Sequence, residues 1–110
     1  MINLDENQKE IIAQTAEKYG DKQLMQAVEE MAELMQALSK YQRIDYTGCQ
    51  SVIDCWDRQE PVVENITEEM SDVYIMLEQL QIFFDIDDKE IKSEIDRKLT
   101  RQKERNAKND

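Results

Sequence analysis

Two short acidic stretches set the pattern of this chain: EEMAE at residues 29–33 and EEMSD at residues 68–72. Each stretch contains two acidic residues three positions apart. These pairs are Glu30 with Glu33, and Glu69 with Asp72. Residues three apart share one face of an α-helix. If both stretches are helical, each therefore directs two carboxylates the same way from a segment that is otherwise strongly apolar.

Both stretches lie in segments with the apolar periodicity of helices, counted at about 100° per residue. The stripe of the first segment comprises Leu24, Val28, Met31, Met35 and Leu38, widened by Ala27 and Leu34. The stripe of the second comprises Ile66, Met70, Val73, Leu77, Leu80 and Phe84. Glu30 falls at the edge of the first stripe and Glu69 inside the second. Because an unpaired buried carboxylate is costly, the position of Glu69 predicts a bound cation or a retained proton.

The composition is that of a helical protein. Only 2 glycines and 1 proline occur in 110 residues, and Ala, Leu, Met, Glu, Gln and Lys are abundant. The length suits a single domain spanning residues 1–110. We predict an all-α, four-helix bundle-like fold in which the two long apolar helices form a central antiparallel pair. The predicted helices cover residues 4–19, 22–43, from Asn65 or Thr67 to about Phe84, and from about Lys89 onward.

An irregular inter-helix insertion is predicted at residues 45–63. It begins with a turn-forming run that contains Gly48, holds enough apolar residues for one helical turn, and ends at Pro61. Connections of this length are uncommon in small domains and are often functional. The segment is therefore a candidate lid over a site, or a loop that covers the bundle.

Charge is unevenly distributed along the sequence. The formal net charge is -11, yet residues 89–110 carry eight basic and five acidic residues, a net charge of +3. The remaining residues thus carry −14, and this acidic body argues against binding to a nucleic acid polymer. An acidic body with a basic tail fits a site that needs both a cation and a polyanion. The alternative is a last helix whose charges are simply solvated.

The two cysteines, Cys49 and Cys55, occur without any histidine. They do not complete a four-ligand zinc site, so we interpret them as reduced thiols, with an intersubunit disulfide as the alternative. The sequence shows no signal peptide and no apolar run long enough to span a bilayer. We therefore expect a cytoplasmic protein without a membrane partner.

The four carboxylates suit a divalent metal. Oxygen ligands are preferred by Mg²⁺ and also suit Mn²⁺, and Mg²⁺ commonly shares its ligand shell with substrate phosphates. The alternative is an acidic helix face exposed to solvent. A di-iron bundle is disfavoured because such sites use Glu-x-x-His motifs. Without histidine, a hydrolase here would rely on metal-bound hydroxide or on a carboxylate that activates water.

These motifs resemble those of the MazG-like nucleoside triphosphate pyrophosphohydrolases. The resemblance is carried by VEEMAELMQALSK at residues 28–40 and NITEEMSDVYIMLEQL at residues 65–80, with a weaker continuation over residues 98–105. It implies an all-α MazG-type fold assembled as a homodimer or a dimer-based homotetramer. It also implies hydrolysis of a nucleoside or deoxynucleoside triphosphate to the monophosphate and pyrophosphate.

The resemblance also implies roles for individual residues. Catalysis and the binding of Mg²⁺ (or Mn²⁺) would fall to Glu30, Glu33, Glu69 and Asp72. The candidates for binding the substrate phosphates are Lys98, Arg101, Arg105 and Lys40. Trp56 and Tyr46 of the insertion are candidates for base binding, since aromatic faces stack on bases, although they could equally serve packing.

A non-enzymatic alternative belongs to a different class of function. The apolar stripes, the six methionines and the charged fourth helix also fit a helical dimerisation or interaction module. In that case the acidic cluster would be vestigial. Pyrophosphate release from a nucleotide panel distinguishes the two functions.

Overall fold

The computed structural model describes residues 2–108. Within these residues it contains four α-helices and no β-strand, which confirms the predicted all-α class. In chain order the helices are α1 (Glu6–Tyr19), α2 (Lys22–Gln42), α3 (Val52–Phe83) and α4 (Asp88–Lys108). No helix in the described part of the chain is both long enough and apolar enough to cross a membrane.

Helix α1 has well-defined ends. At its start, the Asp5 carboxylate accepts a hydrogen bond from the backbone N–H of Gln8 at 2.8 Å, and the Gln8 side chain accepts one from the backbone N–H of Asp5 at 3.0 Å. This capping box satisfies two N–H groups that lack partners within the helix. At its end, Gly20 adopts a φ of 51°, a conformation that favours a residue without a Cβ atom.

Gln23 connects α1 to α2. Its side-chain amide donates to the carbonyl oxygens of Ala16 at 3.0 Å and Gly20 at 2.8 Å, and the residue is only 2% exposed. Carbonyl groups at a helix C-terminus lack partners within that helix. The buried amide therefore adds a second hydrogen bond to each of two carbonyls that already accept a backbone N–H, and it ties the start of α2 to the end of α1.

Helices α2 and α3 form a central antiparallel pair. Their register follows from side-chain contacts of Glu30 with Asp72 and of Glu33 with Glu69. Toward α3, helix α2 directs a row of mostly small or polar side chains: Gln23, Ala27, Glu30, Leu34 and Ala37. The small alanine side chains allow the two backbones to approach closely.

The predicted apolar stripe of α2 does not face α3. Its five main residues are all exposed: Leu24, Val28, Met31, Met35 and Leu38. Viewed along the axis of α2, these residues are rotated by about 100° from the row that contacts α3. They share one face as predicted, but no helix among residues 2–108 covers that face.

The predicted insertion at residues 45–63 is wrong from Val52 onward, where the chain is helical. Ser51 caps α3 by accepting a hydrogen bond from the backbone N–H of Asp54 at 3.2 Å. Thr67, predicted as a possible helix start, lies mid-helix and donates its hydroxyl to the carbonyl of Val63 at 2.9 Å. Only residues 43–51 remain as an irregular connection between α2 and α3.

Pro61 lies inside α3 instead of ending it. Proline removes one helical hydrogen bond and usually kinks or terminates a helix. Here the turn before it is fixed to the preceding loop, because Arg58 donates to the carbonyl oxygens of Asp45 at 2.6 Å and Thr47 at 2.9 Å. These bonds tie the first turns of α3 to the loop at residues 43–51.

Helix α4 projects from the rest of the molecule. Its start is fixed by Gln81, whose side-chain amide donates to the carbonyl of Ile86 at 3.3 Å and to the carboxylate of Asp88 at 3.0 Å. Beyond that point, no described Cα atom of α4 lies within 8 Å of a Cα atom in the other helices. The radius of gyration is consequently 18.4 Å, whereas a compact chain of this length has about 13 Å.

Candidate metal centre

The α2–α3 pair brings the four predicted carboxylates together. One oxygen each of Glu30, Glu33, Glu69 and Asp72 can be chosen so that all four lie within 4.8 Å of one another. We call these four residues the acidic cluster. Glu30 and Glu69 are half-buried, whereas Glu33 and Asp72 are exposed. The cluster therefore has a base in the groove between the helices and an open side toward solvent.

The antiparallel register explains this geometry. Each helix contributes two acids one turn apart, so that Glu30 lies across from Asp72 and Glu33 across from Glu69. A shift of either helix by one residue would rotate its acids out of the groove. The spacing of the two motifs and the register of the helix pair together create the site.

Burial and mutual repulsion both act on the cluster. The pKa of Glu30 is raised above its usual value, first because the carboxyl is partly removed from water and then because Asp72, Glu33 and Glu69 carry like charges. The pKa of Glu69 is raised for the same leading reason, followed by the charge of Glu33 and a hydrogen bond with it. Both shifts mean that the metal-free cluster holds protons more readily than isolated carboxylates do.

Two oxygens at the base of the cluster have no hydrogen-bond partner. They are Oε2 of Glu30 and Oε2 of Glu69, and both are inaccessible to solvent. Buried polar atoms are nearly always paired in folded proteins. Carboxylate oxygens are the hard ligands that Mg²⁺ prefers, and one oxygen from each of the four acids lies within 4.8 Å of the others, so the residues fit a divalent cation.

Protein cations do not neutralise the cluster. In the described part of the chain the ion pairs are Lys92–Asp96 and Arg97–Glu94, and both lie within α4. Lys40 is exposed on the same edge of α2 as Glu33, but two turns further along, roughly 10 Å at 1.5 Å per residue. None of the four acids therefore forms an ion pair with a basic residue among residues 2–108.

The other predicted phosphate contacts lie on α4. Lys98, Arg101 and Arg105 line one shallow depression together with Gln102, and all three basic residues are exposed. The structure thus groups them as a basic cluster but does not bring them to the carboxylates within one chain. Their role in phosphate binding stays a prediction.

The predicted base-binding aromatics are also remote from the acids. Tyr46 accepts a hydrogen bond at its hydroxyl from the side-chain amide of Gln59 at 2.8 Å. Trp56 precedes Glu69 by 13 helical residues, roughly 20 Å along α3. Within one chain the structure does not place either ring beside the acidic cluster.

Sequence reasoning missed the role of Arg58, which fixes the connection at residues 43–51 to α3. The only sequence signal for this role is that Arg58 is the single basic residue of α3. It also missed the nearly buried Gln79, whose side-chain oxygen has no partner. From the sequence alone, a buried glutamine within an apolar stretch cannot be distinguished from one exposed to solvent, because its burial depends on the neighbouring helix.

Comparisons with known proteins give no information about the function of the acidic cluster. No family model, curated protein or solved structure matched this chain. The function must therefore be argued from the residues of the site and from what their arrangement can bind.

Proposed function

We propose that this protein is a Mg²⁺-dependent nucleoside triphosphate pyrophosphohydrolase. One observation supports the proposal above all: two facing helices converge four carboxylates within 4.8 Å, with two buried oxygens unpartnered. A bound cation would offset the repulsion between these carboxylates, which is unfavourable in a helix pair that binds none. Mn²⁺ would fit the same oxygen donors.

The reaction would consume one water molecule. The bond between the α-phosphorus and the bridging oxygen to the β-phosphorus breaks, and the products are a nucleoside monophosphate and pyrophosphate. A bound Mg²⁺ would neutralise phosphate charge and polarise the oxygens around the reacting phosphorus. The side chains of the chain itself must hold the metal, orient the substrate and accept a proton from water.

We assign the four carboxylates to these tasks by their burial. Glu30 and Glu69 lie at the base of the cluster and can hold a cation from below, while the exposed Glu33 and Asp72 border the side from which a triphosphate would arrive. Because the sequence contains no histidine, an oxygen of one of these carboxylates is the available base for the proton of the attacking water.

The substrate phosphates require cations that the cluster does not possess. Lys98, Arg101 and Arg105 remain our candidates because they form the basic group on α4. For these residues to act, α4 must approach the acids, either within one chain or from a second copy in a homodimer or dimer-based homotetramer. A cytoplasmic location remains our prediction.

Pyrophosphate release tests the proposal. Purified protein is incubated with each common ribo- and deoxyribonucleoside triphosphate in the presence of Mg²⁺, and parallel reactions contain a chelator. We expect Mg²⁺-dependent release of equal amounts of monophosphate and pyrophosphate from at least one nucleotide. Phosphate release in place of pyrophosphate, or no release from the whole panel, would contradict the proposed reaction.

The non-enzymatic interaction module is the second candidate. It is favoured by the exposed apolar residues along α2, which point to a binding partner whether or not the acids are catalytic. A protein of this kind would show neither nucleotide hydrolysis nor a rise in melting temperature with Mg²⁺. Both absences together would replace the hydrolase proposal with this one.

A further inference from the structure

The two cysteines lie on either side of the junction between the irregular connection and α3. Cys49 belongs to the connection at residues 43–51, and Cys55 belongs to the first turn of α3. Both are free thiols, both are half-buried, and their side chains interact directly with each other. The acidic cluster uses neither residue, and we call the two cysteines the thiol pair.

A tight turn directs the connection back toward the helix. The backbone N–H of Cys49 donates to the carbonyl of Tyr46 at 3.1 Å, which closes a four-residue turn. Gly48 occupies the third position of this turn with a φ of 80°, a conformation that favours a residue without a Cβ atom. The N–H of Thr47 donates to the carboxylate of Asp45 at 2.8 Å and stabilises the same turn. The chain therefore reverses its direction just before Cys49.

The cap of α3 places Cys55 beside Cys49. The hydroxyl of Ser51 accepts a hydrogen bond from the backbone N–H of Asp54 at 3.2 Å, and the carboxylate of Asp54 accepts one from the backbone N–H of Gln50 at 3.1 Å. Gln50 directly follows Cys49, and Asp54 directly precedes Cys55. The bond between Gln50 and Asp54 therefore keeps the two neighbouring cysteines close together.

Arg58 secures the connection on the other side of the thiol pair. It lies about one turn after Cys55 and donates to the carbonyl oxygens of Asp45 at 2.6 Å and Thr47 at 2.9 Å. The connection is thus hydrogen-bonded to α3 both before and after Cys49. A disulfide has strict geometric requirements, and cysteines that are already held in contact can meet them with little movement of the backbone.

Small molecules can reach the thiol pair from solvent. The residues around it are exposed, namely 45–48, 50–53 and 56–58. Apart from its chain neighbours, no described atom lies within 4 Å of the point that a Cβ atom would occupy at Gly48. The side of the connection next to Cys49 is therefore open to an incoming reagent.

The surroundings of the two sulfurs give them different roles. The pKa of Cys49 is raised above its usual value, first by its hydrogen bond with Cys55 and then by partial removal from water, so Cys49 keeps its proton. Cys55 lies in the first turn of a 32-residue helix, whose positive end favours negative charge. Because the thiolate is the reactive form of cysteine, attack on an electrophile begins at Cys55 and Cys49 reacts second.

We propose that Cys49 and Cys55 form a reversible dithiol–disulfide pair that reacts with small-molecule disulfides, written RSSR. The Cys55 thiolate attacks one sulfur of RSSR, forms a mixed disulfide and releases one RS⁻. Cys49 then gives up its proton and attacks the sulfur of Cys55, so that the Cys49–Cys55 bond forms and the second RS⁻ leaves. The net reaction oxidises two protein thiols to one disulfide and reduces RSSR to two RSH.

The contact between the two thiols favours a bond within one chain. Two sulfurs that already touch react as an intramolecular pair, which is faster than reaction with a second molecule. Oxidation would then link the connection at residues 43–51 covalently to α3. Cys55 precedes Glu69 by 14 helical residues, roughly 21 Å along α3. The proposal therefore stands independently of nucleotide hydrolysis.

Thiol counting tests the proposal on the unmodified protein. Reduced protein is incubated with mixtures of oxidised and reduced glutathione and quenched with acid; the remaining thiols are labelled with a maleimide in denaturant, and the mass of the intact chain is measured. We expect both thiols to disappear together, with the loss of two hydrogen atoms from a single chain and full recovery in reduced glutathione. Stable glutathione adducts, two chains joined by a disulfide, or thiols that stay reduced in excess oxidised glutathione would overturn the proposal.

Matched single substitutions separate the roles of the two sulfurs. In Cys49→Ser, we expect Cys55 to accumulate as a mixed disulfide with one glutathione, because no second thiol displaces it. In Cys55→Ser, Cys49 should form its adduct several-fold more slowly. Phenylarsine oxide, which binds two adjacent thiols, should protect both cysteines of the reduced wild type from the maleimide but neither single variant. Equal rates of adduct formation in the two variants, or a wild type that phenylarsine oxide does not protect, would overturn the proposal.

Discussion

The acidic cluster and the exposed apolar residues of α2 and α3, such as Met31 and Met70, occupy opposite sides of the same two helices. On one side, Glu33 and Asp72 border a group of carboxylates whose raised pKa values reflect burial and mutual repulsion. On the other side, apolar residues such as Met31 and Met70 face solvent without any charge among them. Each side is unfavourable in an isolated metal-free chain, one through repulsion and the other through hydration.

The different residues on the two sides of the helix pair indicate what each side can bind. The contact between α2 and α3 uses small and polar residues such as Ala27 and Ala37, so that the pair itself buries little of its apolar surface. We propose a cation on the acidic side, and the helix pair leaves the apolar residues of the other side exposed. Substitutions on one side should therefore leave the binding properties of the other side largely intact.

The largest expected effect is the loss of hydrolysis in Glu69→Gln. The substitution keeps the shape of the side chain but removes one charged ligand from the base of the acidic cluster. We expect kcat/KM to fall at least about 100-fold, because charge stabilisation by a metal centre contributes several kcal/mol. Glu78→Gln, on the same helix outside the cluster, is the control and should retain wild-type activity. The mass in solution should not change in either variant.

A smaller effect is expected from the double substitution Lys98→Ala with Arg101→Ala. Removing charge-assisted contacts to phosphate should lower kcat/KM by about 10–100-fold and leave the thermal response to Mg²⁺ unchanged. Lys103→Ala provides a matched control, since Lys103 lies on a different side of α4 from the basic group. Unaltered kcat/KM in the double variant would assign α4 a purely structural role.

The response to pH sharpens the electrostatic side of the comparison. Because the folded-state pKa values of Glu30 and Glu69 are raised, the folded metal-free protein binds more protons than the unfolded chain between the usual value of about 4.3 and the raised values. These groups therefore destabilise the fold as pH rises through that window.

Melting temperatures in a chelator test this sign. We expect the stability of the wild type relative to Glu69→Gln to increase as pH falls from neutral toward the usual glutamate pKa, because the acid that repels its neighbours becomes neutral. Comparing the two proteins cancels the titration of groups outside the acidic cluster, and the difference reports Glu69 together with the neighbours whose charges act on it. A difference that stays constant, or that grows with rising pH, would show that Glu69 is an ordinary solvated acid.

The acidic cluster was predictable because the spacing of the acids places each pair on one face of its helix. Acids three apart share a helix face, and two such pairs on antiparallel helices meet when the register is right. The limits of α1 and α2 were also predictable, since Gly20 and the turn residues after Arg43 interrupt the helical pattern. These features depend on local geometry, which a sequence encodes directly.

Other features depend on neighbours that periodicity does not reveal. The stripe through Met31 was identifiable as one face, but the pattern could not show that α3 packs beside it instead of over it. The continuation of α3 through Pro61 was mispredicted because proline usually ends or kinks a helix, and the local pattern does not show where a helix continues through it. The position of α4 was likewise not predictable, because the sequence pattern of α4 does not show which of the other helices it contacts.

The thermal response to Mg²⁺ tests the central claim, that the acidic cluster is a metal site. Melting curves are recorded for the wild type, Glu69→Gln and Glu78→Gln, each with a chelator and with saturating Mg²⁺. A ligand that binds only the folded state raises the melting temperature. We predict a clear rise for the wild type and Glu78→Gln, and a much smaller rise for Glu69→Gln, which should melt above the wild type in the chelator. Equal Mg²⁺ responses in all three proteins, or none in the wild type, would contradict a metal site at these carboxylates.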